Sequence, residues 1–567
     1  MLLRVLAVCL PLLVAALAAD LPPLEVRDVN DGDVVPFSFS NTSGSPDDLL
    51  VEEIKVLPVL GRVTLTTPNL PPFIRFVLFQ AHSQIYNVTL AYNDTLLPTT
   101  HVNGTNVGLL VQPKANMAQV ELSNFNIETN VSVLIVVSIL RVEDPIPGGC
   151  NMEFNTKLAP YLSVTYTSDM ITMKSQLAAP PFPYSCRSNL LDYDVYHLYL
   201  EERNYSQGAY FDGIRKMLTP SRIAEHGKLV PEIIGRPTLQ RTFSSYPGTG
   251  SVYAVVVRYD NEFDAAYVPA ATYACSIVFW NDTCDVLTST FSKLLCATIL
   301  FLGVFICFAG HYFFKAEMFI FGFLSGGLIA YILVSLPGNF DFEGHLAISV
   351  LIGAIFGTFW LSLWWFYGIP AISTLLITLT LGYLVAATVF FSGAADVPVF
   401  QNEINYWTAF FCIVVAVPIF MAMAAHVANI IACSIFGAFA IIAPIDHYVG
   451  SNLKYIIINN VRKAANPDFK TAIIDPPYQT RDLILSVAWG VLAILGACVQ
   501  LYLHKNKPPF PPPPHTVLLD QRERLALENE PLLRGQPTHS YASVSVGDDS
   551  VFASPRAGPS SAGQEGN

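Results

Sequence analysis

Seven Asn-x-Ser/Thr triplets, at Asn41, Asn87, Asn93, Asn103, Asn130, Asn204 and Asn281, are the most repeated chemical signal in this sequence, and none occurs in the second half. The chemistry they invite is N-glycosylation, which needs an exposed asparagine in the lumen of the secretory pathway. The cysteines divide at the same boundary: Cys150, Cys186, Cys275 and Cys284 precede the first long apolar run, whereas Cys296, Cys307, Cys412, Cys433 and Cys498 lie inside such runs. Four thiols in an oxidising lumen suggest two disulfides. Three pairings are open, and the low entropic cost of closing short loops favours Cys150–Cys186 with Cys275–Cys284. The intramembrane cysteines have no metal-ligand spacing and read as small apolar packing residues.

Other reactive constellations are sparse. There is no His-Glu-x-x-His, no Gly-x-Ser-x-Gly, no phosphate-cradling glycine loop and no Cys-x-x-Cys, so no catalytic residue, cofactor or metal is assigned. A seven-helix zinc hydrolase would need several inward-facing ligands. His311, His426 and the Asp446-His447 pair fall at run ends instead, and the last run, 484–503, has no histidine. Apart from Asp446 at a run end, Glu317 is the one acid within the runs and, beside Lys315, reads as an interfacial ion pair. Asp28–Asp33 resembles a calcium loop, but its glycine is one position early and no acid closes it, so it reads as a turn.

The carboxyl-terminal tail carries two short peptide motifs. Glu528-Asn-Glu-Pro-Leu532-Leu533 fits an acidic dileucine sorting signal and Tyr541-Ala-Ser-Val544 a tyrosine-based one. Both are expected to bind clathrin adaptors as extended peptides and to direct endosomal or lysosomal cycling.

These residues must be held by a membrane protein. The 567-residue chain is 52% hydrophobic and 13% charged, too little charge to coat a soluble protein of that length. Its net charge of −13 offers no basic face for nucleic acid. Residues 1–19 have the charge, apolar run and small residues of a cleaved signal peptide. Two β-rich domains follow, 20–147 and 148–290. Their short β-branched and aromatic stretches, broken by Asn, Asp, Gly and Pro, predict a tandem of sandwich-like folds. Apolar runs near 294–314, 316–336, 346–366, 369–391, 406–426, 428–447 and 484–503 each approach the roughly 20 residues needed to cross a bilayer. They define a seven-helix domain over 291–503, with a disordered tail over 504–567 that opens in a proline run. Gly322-x-x-x-Gly326 and Gly353-x-x-x-Gly357 predict close helix contacts within the bundle.

With the amino terminus in the lumen or outside the cell, seven crossings put the tail in the cytosol. That topology leaves Lys454, Arg462, Lys463 and Lys470 on the lumenal side, against the positive-inside rule. Either an even number of spans or a basic amphipathic helix over 453–465, lying flat on the membrane, would relieve the conflict.

The segments Asp144-Pro-Ile-Pro-Gly-Gly-Cys-Asn151, Tyr193-Asp-Val-Tyr196, Ala265-Ala-Tyr-Val-Pro-Ala270, Thr272-Tyr-Ala-Cys275 and Phe305-Ile-Cys-Phe-Ala-Gly-His311 carry a resemblance to the transmembrane 7 superfamily member 3 family. The membrane region resembles a wider family that includes transmembrane protein 198, which implies a shared seven-helix fold. The residues themselves lead to the expectation of a non-enzymatic, receptor-like or adaptor protein at the plasma membrane. For function the resemblance implies a pro-survival role that dampens endoplasmic-reticulum stress and the unfolded protein response, inhibits cell death and supports insulin secretion. Its expected partners are membrane lipid and an unidentified lumenal or extracellular protein or lipid. The rival reading, an ion channel or transporter, would need a polar cavity around Glu317, Asp446 and His447.

Overall fold

In a computed structural model, residues 21–39, 50–93, 96–186, 190–231, 239–260, 262–279, 284, 290–336, 342–505 and 507–533 are described. The signal peptide, Asn41, Asn281 and the Tyr541–Val544 motif lie outside them.

The first domain is a sandwich of two five-stranded sheets. One joins β1 (Val26–Asp28), β3 (Leu50–Leu57), β10 (Val131–Arg141), β5 (Ile74–His82) and β8 (Asn106–Val111), in that order. The other joins β2 (Val34–Pro36), β4 (Arg62–Thr67), β9 (Ala118–Ser123), β6 (Val88–Ala91) and β7 (His101–Gly104). Strand β4 alternates half-buried and buried residues, as a strand with one face in the core must. Strand β10 is apolar at both parities, and both its faces are covered. Val133, Ile135 and Val137 enter the sandwich core, while Leu134 and Val136 pack on the second domain among Leu200, Tyr210, Phe211 and Val252.

The second domain contains β11 (Ser163–Tyr166), β12 (Met170–Lys174) and β15 (Gln240–Ser244) in one sheet. A second sheet orders β14 (Lys228–Leu229), β13 (Leu191–Tyr199), β16 (Ser251–Tyr259) and β17 (Phe263–Ala266), with β18 (Ala270–Thr272) also on β16. Helix α1 (Gln207–Arg215) starts at Ser206, whose side chain accepts from the Ala209 amide. Helix α2 (Pro220–His226) follows. Arg215 meets Glu52 of β3 at 2.9 Å and Arg222 meets the same carboxylate at 3.3 Å, so charge pairing as well as apolar contact joins the domains. Cys150 is bonded to Cys186, and Cys275 to Cys284.

Among the described residues, five helical runs are long and apolar enough to cross a membrane: His311–Ser335, Gly344–Tyr367, Pro370–Phe391, Glu403–Val449 and Thr480–His504. The fourth, at 47 residues, holds two helices divided by a 3₁₀ turn at Ala422–Ala424. With the apolar α3 (Thr290–Ala309), the described residues thus contain seven apolar helices: α3, α4 (Phe314–Ser335), α5 (Phe342–Tyr367), α6 (Pro370–Phe391), α7 (Glu403–Met421), α8 (Ala425–Val449) and α10 (Thr480–His504). A short helix, α9 (Tyr455–Ala465), lies between the last two. The glycine repeats do pack within the chain: a Cβ on Gly322 would meet the Gly357 Cα at 2.8 Å, and one on Gly353 would meet the Phe323 carbonyl at 2.7 Å.

The tail departs from expectation over Pro514–Leu533, which forms a helix, α11. Proline is tolerated at the first turn, and the following Leu, Arg, Ala and Glu residues favour helix, so the end of the proline run acts as a start signal. Glu528, Leu532 and Leu533 therefore occupy the last turns of a helix rather than an extended peptide.

Candidate functional site

Two polar assemblies stand out at opposite ends of the bundle. The first is the junction where residues 450–479, between α8 and α10, meet the second β domain. Helix α8 ends at Gly450, whose φ of +78° suits glycine and where a Cβ would strike the Arg203 guanidinium at 2.0 Å. Asp446 then accepts from the backbone amides of Leu453 and Lys454 at 2.9 and 3.1 Å, turning the chain into α9.

Helix α9 does not lie flat on lipid, as its basic amphipathic sequence suggested. Its residues Tyr455, Ile456, Asn459, Asn460, Arg462 and Lys463 are buried in protein. Arg462 donates to the carbonyls of Ser245 and Ser168 at 3.0 and 2.7 Å and lies 3.2 Å from Asp169. Asn459 accepts from the Ser244 hydroxyl at 2.9 Å. Lys454 pairs with Asp446, Lys463 donates to the Lys470 carbonyl, and Lys470 reaches Glu403. Each of the four cations that conflicted with the positive-inside rule thus has a protein acceptor on the ectodomain side. Burial lowers the Lys463 pKa to about 8.

The loop also extends the ectodomain sheet. Ile473 pairs in parallel with Phe243 of β15, donating to the Thr242 carbonyl at 2.9 Å and accepting from the Ser244 amide at 3.0 Å. Next to it Asp475 lies 2.9 Å from His197 Nε2 and 2.5 Å from Lys228 Nζ. Burial alone would raise its pKa, but His197 and Lys228 outweigh burial and hold it below the usual range. Gln479 completes the seam, exchanging hydrogen bonds with the backbone of Glu202 and Leu200.

A cavity of about 310 Å³ opens at this seam, lined in part by His197, Lys228, Asp396 and Asp475. Asp396, between α6 and α7, accepts from the Ile474 amide at 2.9 Å. Burial, aided by the nearby Asp475 charge, pushes its pKa up to about 7. Glu202 is likewise raised to about 7, by burial and then by Asp482. Such a cavity can take a small polar ligand, and its charge changes near neutral pH.

The second assembly sits where α3 ends and α8 begins, away from the ectodomain. Glu317 is fully buried there and not in an interfacial pair with Lys315. Its Oε1 accepts from Asn429 Nδ2 at 2.8 Å and lies 2.9 Å from Cys433 Sγ. The same amide meets His311 Nδ1 at 2.9 Å, and His311 Nε2 lies 3.0 Å from the Pro509 carbonyl. Gln500 accepts from the His311 amide and donates to the carbonyls of Ile306 and Cys307. The last helix runs on to His504, and the imidazoles of His311, His426 and His504 gather so that one ligand nitrogen from each lies within 4.8 Å of the others. Asn429 and Gln500, amides inside apolar runs, were the sequence signal for this cluster.

The trio that a transport pathway was expected to need is not assembled. Glu317 meets Asn429 near the start of α8, whereas Asp446 caps its far end, about 25 Å away at 1.5 Å per residue. Of the glycosylation asparagines, Asn87, Asn93, Asn103 and Asn130 are exposed and Asn204 is half-buried.

A tandem of immunoglobulin-like domains docked on seven apolar helices defines a multi-pass membrane protein with a folded ectodomain. Residues 52–140 match the family described as TM7SF3-like, N-terminal immunoglobulin-like domain, residues 145–278 its second immunoglobulin-like domain, and residues 296–501 the TM7S3/TM198-like domain. Transmembrane 7 superfamily member 3 of Homo sapiens is 31% identical over 467 residues, covering 80% of this chain and 82% of the relative. The Mus musculus protein of the same name is 32% identical over 467 residues, again covering 80% of this chain and 82% of its own length. The chain belongs to the transmembrane 7 superfamily member 3 family.

Proposed function

We propose that this chain is a non-enzymatic, receptor-like or adaptor membrane protein whose immunoglobulin-like ectodomain binds a protein or lipid outside the cytosol and passes that occupancy to the helices. The observation that supports this reading is the seam at 450–479, where Arg462, Asn459, Ile473 and Asp475 tie the second β domain to the segment joining α8 and α10. A tilt of the ectodomain would be felt directly at two helix ends. Family membership adds the finer expectation: a pro-survival role that dampens endoplasmic-reticulum stress and the unfolded protein response and supports insulin secretion. The protein would act at the plasma membrane and cycle through endosomes or lysosomes by way of clathrin adaptors, its amino terminus outside and its tail in the cytosol.

The test uses cells lacking the protein, re-expressing either the parent chain or Arg462→Met, with an unfolded-protein-response reporter read under chemical stress. The parent is expected to lower the reporter and the variant, at equal surface level, to lower it less. A parent chain without effect would sink the survival role. A variant as active as the parent would sink coupling through the seam.

A further inference from the structure

We propose that His311, His426 and His504 form a zinc-binding site at the end of the bundle opposite the ectodomain, and that a bound ion ties three helices together there. The three rings come from the turn after α3, the first turn of α8 and the last residue of α10. Their centroids lie 4.4 Å apart for His311 and His504, 4.7 Å for His311 and His426, and 5.5 Å for His426 and His504. With one nitrogen from each within 4.8 Å of the others, ring rotations alone must close the set to the roughly 3.3 Å edges of a tetrahedral zinc site.

Two further observations point to a ligand. His426 Nε2 is buried with no hydrogen-bond partner, as are Glu317 Oε2 and Asn429 Oδ1 just behind the triad. Buried polar atoms are seldom left so, and three of them around one histidine cluster mark a place built for a charge. His311 is also backed by an outer shell: Asn429 Nδ2 donates to its Nδ1 and to Glu317. On metal binding through Nε2, when the ring proton moves to Nδ1, the Asn429 amide must turn its unpartnered Oδ1 toward that N–H to orient the imidazole. His311 Nε2 now meets the Pro509 carbonyl, and the ion would replace that hydrogen bond.

The donor chemistry narrows the ion to the imidazole-binding transition metals, of which zinc is taken. Three neutral imidazoles suit zinc and poorly suit magnesium or calcium, which demand oxygen. Three protein ligands leave a fourth position for water. The inference stands independently of the receptor reading, since none of these residues touches the seam.

The test uses the full-length chain with a tag that contains no histidine, purified in detergent, stripped with chelator and titrated with Zn²⁺. One equivalent of zinc is expected to survive gel filtration, and Co²⁺ is expected to give the visible band of tetrahedral coordination. His426→Gln and His504→Gln should each abolish both signals while eluting like the parent, and Asn429→Leu should weaken binding roughly 10–100-fold. Zn²⁺ should also protect His426 and His504 of the unaltered chain from carbethoxylation, a readout that needs no variant. A monodisperse parent that retains no zinc would overturn the proposal. So would zinc retained by the His426→Gln/His504→Gln double variant, leaving the rings as an aromatic cluster with Phe510.

Discussion

Arg462 holds two carbonyls of the ectodomain and sits against Asp169 while stacking within 5.3 Å of the Tyr455 ring. Replacing it with methionine keeps most of the volume but strands buried acceptors. On the scale of an unsatisfied buried group, that should cost about 1–3 kcal/mol and lower the melting temperature of the detergent-solubilised chain. An unchanged melt would mean that the seam does not depend on this guanidinium. The glycosylation asparagines are tested at the same scale. Asn87→Gln, Asn93→Gln, Asn103→Gln and Asn130→Gln should each remove one glycosidase-sensitive step from the gel, because all four side chains are exposed. Asn204 donates to Glu201 at 3.0 Å and is half-buried, so its step should be the least complete.

At the scale of elements, the seam should respond to pH. Asp396 and Glu202 have folded pKa values near 7, above the ordinary carboxylate range. Between about pH 4 and 7 the folded state holds protons on these groups that the unfolded chain has released, so their contribution to stability grows as pH falls through 7. Asp475 opposes this only below the ordinary carboxylate range, its contribution being lost as pH falls toward its own depressed value, where protonation costs it His197 and Lys228. Buried His82, whose pKa burial lowers to about 4, works the other way over this range, so the readout is the difference. The parent chain should gain melting temperature relative to the Asp396→Asn, Glu202→Gln variant between pH 7.5 and pH 6, and an equal pH response in the two would deny these groups the role. Helices α4 and α5 make a second prediction. Gly322→Ile would drive a branched side chain into the Gly357 backbone, and reduced folded yield is expected, whereas normal yield would deny the close contact. In the tail, Leu532 and Leu533 lie at the end of α11, and adaptors read dileucine signals as extended chain. Leu532→Ala with Leu533→Ala should raise the surface-biotinylated fraction, and no change would remove the sorting role.

For the whole molecule, the seam settles which loops share a side with the ectodomain. Residues 450–479 are bonded to the second β domain, so α8 must end, and α10 begin, on that side of the membrane. Asp468 is exposed there. In intact cells Asp468→Cys should be labelled by an impermeant maleimide, and Glu523→Cys in α11 only after permeabilisation. Labelling of both before permeabilisation would overturn the cytosolic tail. The two immunoglobulin-like domains should also unfold together, since β10 is buried between the first core and the second domain.

The sequence by itself determined the class. Hydropathy and alternation are properties of neighbouring residues, so the apolar runs and the β-rich stretches were legible from composition and spacing alone. So were the glycine contacts between α4 and α5, which are close in the chain as well as in space. What only the tertiary structure decided are the contacts between residues far apart. The partners of Arg462 at Ser168 and Ser245, the joining of Ile473 to β15, and the meeting of His311, His426 and His504 depend on how whole elements dock. Lys454, Arg462, Lys463 and Lys470 read as misplaced because a positive-inside count sees charge and not its partner. In the folded chain each has an acceptor in protein, and desolvation and pairing, which no local window contains, decide where a charge can stand.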